Sequence, residues 1–110
     1  MDSGAFVTYL TGLPGYGGQV VHVEHIPARE AVHDRLDEPL PDDLEAALKK
    51  KRLLPLYRHQ AAAINRVRRG ENVMVATSSA SGKTLCYNVP VLEALLADGE
   101  ARALYLFPTK

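Results

Sequence analysis

The most restrictive feature of this chain is the stretch Thr77-Ser78-Ser79-Ala80-Ser81-Gly82-Lys83-Thr84, with its closing Gly-Lys-Thr. The short apolar run Asn72–Ala76 precedes it and a helical pattern from Lys83 through Leu96 follows it. A strand that feeds a loop of small residues and then opens a helix is the setting in which backbone N–H groups approach phosphates closely. Bulky side chains would block that approach, which accounts for the Ser/Ala/Gly composition. Lys83 has the reach for the β- and γ-phosphates of a nucleotide, and the Thr84 hydroxyl is placed for Mg²⁺. Thr77 stands where the strict Walker pattern has its first glycine. That departure favours nucleic-acid motors over small phosphotransferases, which mostly keep the glycine.

The rest of the pattern surrounds this loop with α/β structure. Ala103–Phe107 is a second apolar run, so strand, helix, strand predicts a parallel βαβ unit with a right-handed crossover. Tyr57–Arg69 predicts a helix, with Gln60/Ala61, Ile64 and Val67 on one stripe and Gly70 as its stop. Pro41-Asp42-Asp43 opens another helix, acidic at its start and closed by Lys49-Lys50-Lys51, the order that the helix dipole favours. Gln19–Ile26 alternates like a short strand closed by Pro27. Residues 28–41 are acidic and turn-like. Residues 1–20 hold five of the eight glycines and read as irregular loop. Gly15, Gly17 and Gly18 lack the flanking strand and helix of a dinucleotide fingerprint. Pro90 removes a backbone bond to the Cys86 carbonyl and predicts a kink or break in the last helix.

Composition narrows the class. The 110 residues hold 13 basic and 13 acidic side chains. The balance hides a division: residues 1–48 carry two basic against nine acidic residues, and residues 49–110 carry eleven against four. An anionic partner for the second half follows from that asymmetry. No apolar run reaches the 18 or so residues of a membrane span, and the N-terminus lacks the basic and apolar regions of a signal peptide. The single cysteine, Cys86, excludes an internal disulfide framework or cysteine-rich zinc site and fits a reducing, cytoplasmic setting. Cys86 reads as a buried small apolar residue rather than a thiol activated by its helix N-terminus. His22, Glu24 and His25 do not make a metal site on a strand, since His22 and His25 point to opposite faces. Arg66, Arg68 and Arg69 read as a solvated helix end, with DNA contact as the alternative, and Arg58 as exposed.

Three stretches resemble a superfamily 2 helicase. Leu56-Tyr57-Arg58-His59-Gln60-Ala61-Ala62-Ala63-Ile64 is similar to the adenine-reading Q motif, Ala76–Thr84 to motif I, and Leu104-Tyr105-Leu106-Phe107-Pro108-Thr109-Lys110 to motif Ia. Their order and spacing agree with the first RecA-like domain of such motors, and Pro90 falls where many DEAD-type helicases place a proline. Gly18–Arg29 (GQVVHVEHIPAR) resembles the segment preceding the core in the YprA/MrfA-like DEAD/DEAH-box group, whose members carry a C-terminal cysteine-cluster domain. The resemblance implies an ATP-dependent DNA helicase with ATP and Mg²⁺ as cofactors, DNA as partner, 3′-to-5′ translocation and a link to DNA repair.

The resemblance also implies the roles of single residues. Gln60 reads the adenine edge, and Tyr57 either stacks on the base or sits in the core. Thr77, Ser78, Ser79, Ala80, Ser81, Gly82, Lys83 and Thr84 hold the phosphates, with Lys83 and Thr84 catalytic. Pro108, Thr109 and Lys110 hold DNA phosphates, without sequence specificity. Residues 1–40 are then a loop-rich family segment and residues 41–110 the first part of RecA-like domain 1. Motif II, the second lobe and the cysteine domain do not occur in the 110 residues. The chain by itself is therefore expected not to hydrolyse ATP and to be partly molten. The competing readings are a P-loop phosphotransferase and a non-catalytic nucleotide- or DNA-binding remnant.

Overall fold

A computed structural model of the chain describes residues 2–108. They divide into two compact units, one up to Glu30 and one from Ala31 onward.

The first unit contains α1, Ser3–Thr11. The Asp2 carboxylate caps it by accepting the Ala5 backbone N–H at 2.7 Å. The Thr8 and Thr11 hydroxyls donate back to the carbonyls of Gly4 and Val7. This helix corrects the expectation of irregular loop at the very start of the chain; only the glycine-rich stretch after it is irregular. The glycine count of residues 1–20 concealed the boundary, because four of the five glycines lie at or beyond Gly12, where the helix ends. Gln19–Ile26 forms no strand. His22, Glu24 and His25 are exposed there.

The second unit is built on three helices: α2, Asp42–Lys50; α3, Arg58–Arg68; and α4, Lys83–Ala97. Their bounds lie within a residue or two of the periodicity. Asp42, Asp43 and Glu45 occupy the first turn of α2 and Lys49 and Lys50 its last, each set placed to offset the local helix dipole. Gly70 follows the end of α3 at φ 79, the left-handed conformation that a side chain would strain. Leu40, Leu44, Leu48 and Leu56 meet Ala61, Ile64 and Val89 in a single core, so α2 and α4 both press on α3. Ile64 and Val89 are fully buried.

Of the kink or break expected at Pro90, the break does not occur: α4 continues to Ala97. Val89, one residue before, is fully buried in the core, and Glu93, three residues after, pairs with Arg68; together these outweigh one lost backbone bond.

Arg68 ties α3 to α4. Its guanidinium forms a two-pronged ion pair with Glu93 and also donates to the Glu38 carbonyl at 2.7 Å. The hydrogen bond to Glu93 raises the Arg68 pKa further. The two side chains are only 19% and 18% exposed. Arg66 and Arg69 pair with Glu71, and Arg69 also with Asp37. Arg68 is thus matched and largely buried, while Arg66 and Arg69 remain exposed at the solvated helix end, paired with surface carboxylates.

Among the described residues there is no strand ladder; the only β contact is an isolated antiparallel bridge between His33 and Tyr57. Neither Asn72–Ala76 nor Ala103–Phe107 pairs with a neighbour, and the parallel βαβ unit is not formed as such. Two strands without flanking strands have too little pairing and burial to hold a sheet. Met74, Leu104, Leu106 and Phe107 are accordingly exposed, Met74 at 93%.

Removing one partner of the Arg68–Glu93 pair leaves the other half-buried and unmatched. Arg68→Met should weaken the α3–α4 packing by about 2 kcal/mol, read as faster hydrogen exchange of the α3 and α4 amides. The double variant Arg68→Met/Glu93→Leu should regain most of that loss. Unchanged exchange in the single variant would show that the pair does not hold the helices together.

Candidate nucleotide site

The loop 77–82 enters α4 through Gly82, whose φ of 75 lies in the left-handed region. A Cβ on Gly82 would stand 2.5 Å from the Gln60 amide nitrogen. Glycine is therefore required here twice, by backbone conformation and by the close approach of α3. Ala80 also adopts a positive φ, 58, without being glycine, and so stores strain at an exposed point of the loop.

Side chains hold four of the loop carbonyls. Lys83 Nζ donates to the carbonyls of Thr77 at 2.7 Å and Ser78 at 3.1 Å. His59 Nε2 lies 2.8 Å from the Ser81 carbonyl, and Gln60 Nε2 donates to the Gly82 carbonyl at 3.0 Å. The hydroxyls of Thr77 and Ser81 bond to one another across the loop. Thr77, at the position of the missing first glycine, thus closes the loop through its side chain.

Gln60 is 2% exposed, and both ends of its amide are engaged. Its Oε1 accepts the Tyr57 backbone N–H at 2.9 Å, satisfying an N-terminal donor of α3, while its Nε2 reaches the loop. One buried side chain thereby joins the start of α3 to the start of α4.

Tyr57 is 42% exposed and lies in a ladder of rings. His33 stacks on it at 5.2 Å between centroids and His59 at 5.9 Å, with planes 17° and 10° from parallel. Backbone bonds from Asp34 to Leu56 and from Arg58 to Val32 hold the 32–34 segment beside the start of α3. Between these parts opens a pocket of 440 Å³, lined by Val32, Tyr57, Arg58, His59, Ala80 and Ser81. It brings residues of the Q-like stretch and of the loop to one place. Gln60 sits behind its wall rather than in its lining.

The Thr84 hydroxyl belongs to an exposed residue in the first turn of α4, beside Lys83. Among the described residues no cluster of three acidic, histidine or cysteine side chains is placed to hold a metal. Cys86, one turn on, is buried, and loss of solvation pushes its thiol pKa up, opposite to an activated thiol. Pro108 is exposed at the end of the described residues, and Thr109 and Lys110 lie outside them. Sequence reasoning missed His33 and His59. Nothing in their local pattern separates a ring that reaches a loop 22 residues away from an ordinary polar residue.

The chain is similar to known helicases. The DEAD/DEAH box helicase family matches residues 57–110, from Tyr57 through the loop. The uncharacterized ATP-dependent helicase YprA of Bacillus subtilis is 46% identical over 91 residues, which is 83% of this chain and 12% of YprA. The ATP-dependent helicase hrq1 of Schizosaccharomyces pombe is 43% identical over 98 residues, 86% of this chain and 9% of the relative. The crystal structure of the DUF1998 helicase MrfA bound to DNA and AMPPNP superposes with a TM-score of 0.79 at 39% identity, covering 99% of this chain and 15% of MrfA.

Loop, helix and family match together define a DEAD/DEAH-box helicase sequence carrying the start of a RecA-like fold. Within that class the chain belongs to the YprA/MrfA-like group. It spans about an eighth of the length of the relatives it matches.

Two loop positions with the same sign of φ should respond in opposite ways. Gly82→Ala should speed hydrogen exchange of the loop and first α4 turn by about tenfold, through backbone strain and displacement of Gln60. Ala80→Gly should leave that exchange unchanged or slow it, since it relieves about 1 kcal/mol of strain. Equal behaviour of the two variants would contradict the close approach of Gln60 to Gly82.

Proposed function

We propose that this chain forms the ATP-binding start of an ATP-dependent DNA helicase. The observation that carries the reading is the junction of α3 with the phosphate loop. There Gln60 and His59 reach the carbonyls of Gly82 and Ser81 beside a pocket bordered by Tyr57. The names of the relatives, ATP-dependent helicases, and the DNA and AMPPNP bound to MrfA support it.

In this reading the nucleotide base enters the pocket along Tyr57, with Gln60 setting the wall behind it. Because its amide already bonds the Tyr57 N–H and the Gly82 carbonyl, Gln60 would read the adenine edge through its second N–H and second lone pair. The phosphates lie on the N-terminus of α4, where first-turn N–H groups and the helix dipole favour anions. Lys83 then exchanges the Thr77 and Ser78 carbonyls for phosphate oxygens. Ser78, Ser79 and Ala80 complete the cradle, with Ser81 and Gly82 as backbone donors. The Thr84 hydroxyl is a suitable single protein ligand for Mg²⁺, which usually takes few protein ligands and completes its shell from phosphates and water. When bound, the ion would neutralise charge developing on the transferred phosphoryl group.

Asn72–Ala76 and Ala103–Phe107 become parallel neighbours or near neighbours in the completed sheet, giving the βαβ unit. Residues 41–110 are the part of RecA-like domain 1 that the chain carries, and residues 1–40 the family segment. Pro108, Thr109 and Lys110 contact the DNA backbone. ATP turnover needs a carboxylate that orients water and cationic help in the transition state, and it is proposed for the full-length helicase. No described helix is long and apolar enough to cross a membrane; a cytoplasmic protein, translocating 3′ to 5′ and serving DNA repair, completes the proposal.

The test is the steady-state ATPase rate of the full-length protein with and without single-stranded DNA. Strong stimulation is expected, and Lys83→Ala should lower turnover on the order of hundredfold or more. Equal rates with and without DNA would favour a phosphotransferase on the same loop, and near-normal turnover by Lys83→Ala would sink the site.

A further inference from the structure

We infer that His59 is a positioning residue for the phosphate-binding backbone, a role that rests on the ATP-binding reading above. A carbonyl oxygen only accepts, so the His59 nitrogen 2.8 Å from the Ser81 carbonyl is the one that carries the proton. The peptide between Ser81 and Gly82 is trans, so its N–H points opposite to its carbonyl. Drawing the Ser81 carbonyl toward α3 therefore aims the Gly82 N–H away from α3, toward the mouth of the loop. Gln60 does the same one peptide later, holding the Gly82 carbonyl and so aiming the Lys83 N–H. Two adjacent residues of one helix thus orient two successive donors.

The loop needs such a restraint. Ala80 and Gly82, on either side of Ser81, both hold positive φ, and the Ala80 conformation is strained for a residue with a Cβ. The Ser81–Gly82 peptide turns through φ of Gly82, where no Cβ opposes rotation, and such a turn would point the Gly82 N–H away. The bond from His59 opposes the rotation, and it comes from a ring that is itself fixed. The imidazole lies parallel to Tyr57, and Tyr57 lies parallel to His33, so the donor cannot swing without breaking the ladder. His59 also lines the pocket between Tyr57 and Ser81. It is thereby the mechanical link between the base side and the phosphate side.

Two substitutions separate the donor from the ring. His59→Phe keeps a ring to stack on Tyr57 and loses the N–H; His59→Gln keeps an N–H at similar reach and loses the ring. Binding of fluorescently labelled ATP to the full-length protein is measured by titration, with adenosine and inorganic tripolyphosphate as competitors. His59→Phe should weaken ATP and tripolyphosphate in parallel, each by about tenfold, and leave competition by adenosine within about twofold of the wild type. His59→Gln should restore most of the lost phosphate affinity. Wild-type affinities in His59→Phe would overturn the inference, as would weakened adenosine binding without recovery of phosphate affinity in His59→Gln, which marks a stacking role. Failure of the wild type to bind ATP would overturn the ATP-binding reading and this inference together, so the two failures are distinct.

Discussion

Everything around the phosphate loop depends on two hydrogen bonds that cross from one helix to the start of another. Gln60 and His59, neighbours at the beginning of α3, donate to the Gly82 and Ser81 carbonyls 22 residues away in each case. A loop of small residues has no side-chain packing of its own to hold it. Its shape must be imposed from outside, and here the start of α3 imposes it. The arrangement explains the composition on both sides: glycine where Gln60 approaches closely, and a buried amide whose donor and acceptor are both satisfied. An unsatisfied amide at that depth would cost about 1–3 kcal/mol, so the same bonds that shape the loop also make the burial of Gln60 tolerable.

Behind this junction the core supplies rigidity. Ile64 and Val89 hold α3 and α4 together, and α2 joins the same core through Leu44 and Leu48. Arg68 adds a directional tie to Glu93 at the far end of α3, with a third contact to the Glu38 carbonyl. The helix that aims the loop is thus pinned at both ends: at its start by the site itself and at its end by an ion pair. Positioning of the proposed phosphate cradle and stability of the helical core are one problem here.

The helices α2, α3 and α4 were legible because burial writes a 3.6-residue period into the sequence, and caps and stops mark their ends. Helix α1 was not, because none of its residues is buried, so burial wrote no stripe into it. The loop 77–82 was legible as a candidate phosphate site from its small residues, its Gly-Lys-Thr ending and the apolar run and helical pattern on either side. The expected strands were written in apolar runs whose pairing needs neighbours, and Met74, Leu104 and Leu106 stay exposed without them. Whether α4 would break at Pro90 was left open by the sequence, since local rules see the lost bond and not the packing of Val89. Arg68 and His59 were hidden for the same reason: their partners lie 25 and 22 residues away, and long-range pairing leaves no periodic signal.

The most direct test of the account is a crystal structure of the protein with a non-hydrolysable ATP analogue. The account predicts the base in the pocket beside Tyr57 and His59, and the phosphates at the Gly82–Thr84 turn. Lys83 should have left the Thr77 and Ser78 carbonyls, while the bond from His59 to Ser81 is retained. A nucleotide bound elsewhere, or bound here with the Ser81–Gly82 peptide turned away from His59, would contradict it.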